Sequence, residues 1–172
     1  TKINLFCFDP TKSQQLYNQI GGFVVKANNV PIKIESFALN TGVIEIIPKT
    51  GSIIIADKDT IDLSISLYLK AGAITDAFPF RFYIPSTNHG WQSSSEGTGF
   101  ASAFNAAIYG PECSINVTAT KLKFVTTPFT AVPSQQFSIK ICATDAFGNI
   151  DYDYSNAVTL GFEYGTGTMS CL

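Results

Sequence analysis

The sequence predicts an all-β chain, with a complete β-sandwich over residues 1–118 and a second, shorter set of strands over 119–172. Three observations carry that reading. Apolar and polar residues alternate along most of the chain, which is the two-residue period of half-buried strands. Gly, Pro, Asn and Asp punctuate the runs where turns are needed. Of the 172 residues 45% are hydrophobic and 13% aromatic, enough for a sizeable core.

The elements follow in order. "INLFCF" at 3–8 is the first strand. One helix follows it: Asp9 is placed to cap, Pro10 to open the first turn, and Gly21-Gly22 to end the run, with Leu16, Tyr17 and Ile20 on its apolar face. Strands are expected at 23–27 and 31–39, the latter with Ile32 and Ile34 on one face and Lys33 and Glu35 on the other. "VIEII" at 43–47 and "SIIIA" at 52–56 flank a turn in which Gly51 supplies a positive φ. "IDLSISLYL" at 61–69 turns Ile61, Leu63, Ile65, Leu67 and Leu69 inward. "FPFRFYI" at 78–84 reads as one strand with Phe78, Phe80, Phe82 and Ile84 on a common face. Residues 99–108 fit helix or strand equally. "CSINVTA" at 113–119 closes the first region.

The second region has strands at 121–128, 137–143 and 154–162, with a turn at "TDAFGN" where Asp145 suits an Asx-type bond and Gly148-Asn149 left-handed geometry. "KLKFVTTPFTAVPSQQFSIKICATDAFGNIDYDYSNAVTL" resembles an immunoglobulin-like module of large secreted bacterial surface proteins of the Bacteroidetes type. The residues that carry the likeness are Phe124, Val125, Pro128, Phe137, Ile141, Ala143, Asp145, Gly148, Asn149, Tyr154, Val158, Thr159 and Leu160. The resemblance implies a partial Ig-like β-sandwich and an adhesive or filament-forming role outside the cell.

Such a sandwich needs about seven strands over about 100 residues. Three or four strands leave an inner face of Phe124, Phe137, Ile139, Ile141, Val158 and Leu160 to be covered. Three covers are open: strands of a neighbouring copy, a longer version of the chain, or the first region itself. The first makes those six residues a subunit interface, with the chain as its own partner in a head-to-tail polymer.

Other chemistry is expected to be absent. Only 14% of residues are charged, the net charge is −2 and Arg81 is the only arginine, so no basic face exists for nucleic acid. No run of eighteen apolar residues spans a bilayer. His89 is the only histidine, and neither a nucleophile motif nor a phosphate loop accompanies it, so no catalytic residues and no cofactor are assigned.

The run Asn149 to Ser155 alternates oxygen donors as calcium loops do, but Tyr154 stands where such a loop needs glycine, so no metal is assigned. Trp91, with Asn88 and Gln92, is a candidate sugar platform that makes glycan a second partner; the competing reading folds Trp91 over the end of the sandwich. The four cysteines are paired as Cys7–Cys113 and Cys142–Cys171, one bridge per region, each adding ~3–4 kcal/mol through the denatured state.

Overall fold

The computed structural model describes residues 2–56, 59–91, 103–126, 132 and 134–161. The fold is all-β, built of antiparallel sheets. The first strand, β1 (Ile3–Cys7), lies in the middle of a five-stranded sheet. Asp9 ends it, and its carboxylate accepts from the Thr11 backbone N–H at 3.1 Å. Pro10–Lys12 then make a 3₁₀ turn that runs into the helix α1 (Ser13–Gln19). Leu16 and Tyr17 are buried as the apolar face requires.

Gly21-Gly22 does not end the helix as a free turn. Both glycines lie inside β2 (Ile20–Ala27), and their lack of a side chain makes room for the Tyr68 ring. A Cβ at Gly21 would stand 2.9 Å from that ring.

β3 (Val30–Pro31) pairs with β2, as does β6 (Leu63–Leu69), giving a three-stranded sheet in the order β3-β2-β6. β4 (Ile34–Asn40) and β5 (Val43–Pro48) form a hairpin at the edge of the larger sheet, with Gly42 in a left-handed conformation at its turn. A register shift between Ile34 and Ser36 breaks strict alternation there and sets Ile34, Phe37 and Leu39 on one face; Ile32, Ile34 and Leu39 pack on the core, and Phe37 keeps 42% of its surface exposed at its rim.

The stretch 78–84 is not one strand. β7 (Phe78–Phe80) pairs with β10 (Cys113–Ile115), and β8 (Phe82–Ile84) pairs with β1 and β9 (Ile108–Tyr109). Arg81 is the corner between the two sheets. Its guanidinium lies 4.9 Å from the Tyr109 ring centroid, and its Nε donates to the Gly110 carbonyl at 2.9 Å. Residues 103–107 form no helix and lead directly into β9.

The larger sheet takes the order β4-β5-β1-β8-β9. Its inward residues Ile3, Leu5, Ile44 and Ile46 meet Phe23 and Val25 of β2, with Leu16, Tyr17 and Ile20 sealing one side. Phe23 and Phe37 touch edge to face at 5.5 Å. Ile3, Leu16, Val25, Ile44 and Ile46 are fully buried, each stabilising by roughly 1.5–3 kcal/mol. Among the described residues this cluster draws on positions 3 to 115.

The remaining strands, β11 (Lys121–Thr126) and β12 (Lys140–Thr144), make a separate two-stranded ribbon. Two expected strands are absent. Residues 53–56, and 155–161 after Tyr154, belong to no strand. β-branched residues favour extended backbone, but a strand needs a partner for its N–H and C=O groups. Among the described residues neither segment pairs with a strand; the Ala56 carbonyl accepts from the Asp59 N–H at 3.0 Å in a local turn.

Candidate functional site

The ribbon is held in place by one turn and one loop. Asp145 folds the turn: its carboxylate accepts from the backbone N–H of Phe147 and of Asn149, both at 2.9 Å, and from Asn149 Nδ2 at 2.7 Å. Gly148, at φ +92°, supplies the left-handed step. Burial pushes the Asp145 carboxyl up, and the side-chain and backbone donors of the turn outweigh it, so it lies below the usual value.

Asn149 is itself buried and reaches across to the loop at 71–76. Its Oδ1 accepts from the Ile74 N–H at 3.0 Å, and its Nδ2 donates to the Ala71 carbonyl at 3.1 Å. That loop is fixed from the other side by the helix, since Gln19 Oε1 accepts from the Thr75 N–H at 2.6 Å.

Asp76 completes the junction. It is buried, and its two oxygens accept from Val117 N–H and Tyr152 N–H, each at 2.8 Å. Burial pushes its carboxyl up, but these two donors and the N–H groups of Ala77 and Asp153 more than compensate and hold it below the usual range.

Asp151 and Asp153 bring carboxylate oxygens within 4.8 Å of those of Asp76. Asp151 Oδ2 accepts from Ala119 N–H at 2.8 Å. Its side-chain hydrogen bond with Asp151, and then the charges of Asp151 and Asp76, push the Asp153 carboxyl up. Both Asp76 oxygens and one of Asp151 are thus occupied by backbone, which is the donor pattern of a docked turn. Asp145 stands outside this group, engaged in its own turn.

Above the junction lies an open groove of about 610 Å³. In the ribbon, Leu122 opposes Ala143 and Phe124 opposes Ile141, which sets these four on one face. Ile139, Ile141, Val158 and Leu160, four of the six residues expected to form an inner face, line the groove together with Leu122, Ile150, Tyr152 and Tyr154. Phe124 and Phe137 are half exposed and do not line it. Leu122 was visible in the alternation of the first ribbon strand. Ile150 and Tyr152 were not, because they reach the groove through an irregular segment with no period.

Among the described residues the outer edge of β12 is partly open. The Ala143 carbonyl accepts from the Asp151 N–H at 3.1 Å, so Ala143 points away from β11. Alternation then turns the N–H and C=O of Ile141 the same way, toward the groove.

The other candidate residues fall elsewhere. Trp91 packs against the first core, and its backbone N–H donates to His89 Nδ1 at 3.1 Å. Asn88 adopts φ +59°, and its carbonyl accepts from Asn4 Nδ2 at 2.8 Å. Gln92 lies outside the described residues. His89 is buried in its loop and stacks on Phe104 at 4.3 Å.

Cys7 and Cys113 line one cleft beside Arg81 but are not bridged. Their strands pair with Phe82 and Phe80 in different sheets, and their thiols engage the carbonyls of Asp9 and Pro111. Burial, the largest influence, pushes the Cys7 thiol up. Cys142 is also unbridged, and Cys171 lies outside the described residues.

Among the described residues no helix is long and apolar enough to cross a membrane. Comparison with protein families, with characterised proteins and with solved structures returns no match.

Proposed function

We propose that this chain is a non-enzymatic structural or adhesive protein of the extracellular surface, and that it joins further copies of itself through the ribbon groove. The observation that carries the reading is the groove itself. Ile139, Ile141, Val158 and Leu160 converge on it beside an open strand edge, while the first region has its own closed core.

An apolar groove next to unpaired backbone is the surface an added strand needs: the edge supplies main-chain hydrogen bonds and the groove takes alternate side chains. Leu122, Phe124, Phe137 and Val158 are each 42–54% exposed, an apolar concentration that marks association surfaces. The likeness of residues 121–160 to an Ig-like surface module supports the same role. Donor and acceptor surfaces differ, so the contact is head to tail and extends into a filament unless it closes a ring.

Sedimentation of the 172-residue chain over a wide concentration range tests this. Growing species are expected, and Val158→Asp is expected to hold the chain as a monomer. A wild-type chain that stays monomeric throughout contradicts the proposal and leaves a carbohydrate-binding or spacer module of a larger secreted protein, for which Trp91→Ala would abolish glycan affinity.

A further inference from the structure

We draw no further inference here: the strongest candidate, the cluster of Asp76, Asp151 and Asp153 carboxylates where the ribbon meets the first region, belongs to the junction already described, and no second observation points to a ligand there.

Discussion

The two regions of this molecule contain similar residues and treat them differently. In the sandwich, Ile3, Ile44 and Ile46 are fully buried between two sheets, and each strand has a partner. In the ribbon, Leu122, Ile139 and Ile141 line an open groove, and Phe124 is half exposed. The sandwich is held by apolar packing; the ribbon is held by polar anchors, with Asp76 and Asn149 as the buried rivets. The lesson is that position and stability have been separated. The ribbon is placed by hydrogen bonds, and its apolar residues are left half-exposed among the described residues.

The largest expected effect comes from removing packing in the sandwich. Leu16→Ala should lower unfolding stability by about 2–5 kcal/mol in a denaturant titration. Phe124→Ser, of comparable apolar content but exposed, should change it by no more than about 0.5 kcal/mol. Equal losses would erase the distinction between the regions.

Next is the rivet. Asp76→Asn keeps the shape but turns an amide N–H toward backbone N–H donors, and a cost of about 2–4 kcal/mol is expected for ribbon docking. Hydrogen exchange should show faster exchange across β11 and β12 with β1 and β5 unchanged. Uniform acceleration would mean that the two regions unfold as one.

Acid should act on the same junction. Asp76 and Asp145 are held below their usual value of 3.8. Their contribution to stability is complete above that value and is lost as pH falls through their lower folded values. Asp153 is pushed above 3.8 and has the opposite sign: stability falls as pH rises from 3.8 through its folded value. Asp153→Asn should remove that second effect and leave the acid loss intact, as read from unfolding midpoints across the acid range.

The smallest effect is chemical. A thiol reagent should label exposed Cys113 in the folded chain and reach buried Cys7 only on unfolding, by mass spectrometry.

How far the sequence reveals this division depends on range. Strict alternation located β1, β5 and β6, and Asp9-Pro10 located the helix start, because both signals are local. The corner at Arg81 was hidden, since one polar residue between phenylalanines fits a continuous strand as well as a turn from one sheet to another. The rivets were hidden more deeply. Asp76 meets Tyr152 across 76 residues of chain, and no period or motif links them. Of the six predicted inner-face residues, Ile141 on β12 and Ile139 just before it reach the groove by the expected alternation. The strand expected at 154–162 is unformed over its described residues after Tyr154, and Val158 and Leu160 reach the groove through irregular backbone. Segment 52–56 has strand composition but pairs with no strand among the described residues.

The most direct measurement of the central claim is the exchange rate of the Ile141 amide as a function of chain concentration. That amide points from the edge of β12 toward the groove. If copies complete one another's ribbons, its exchange slows as concentration rises, while buried amides of β1 hold constant. A rate for Ile141 that does not change with concentration would contradict the account.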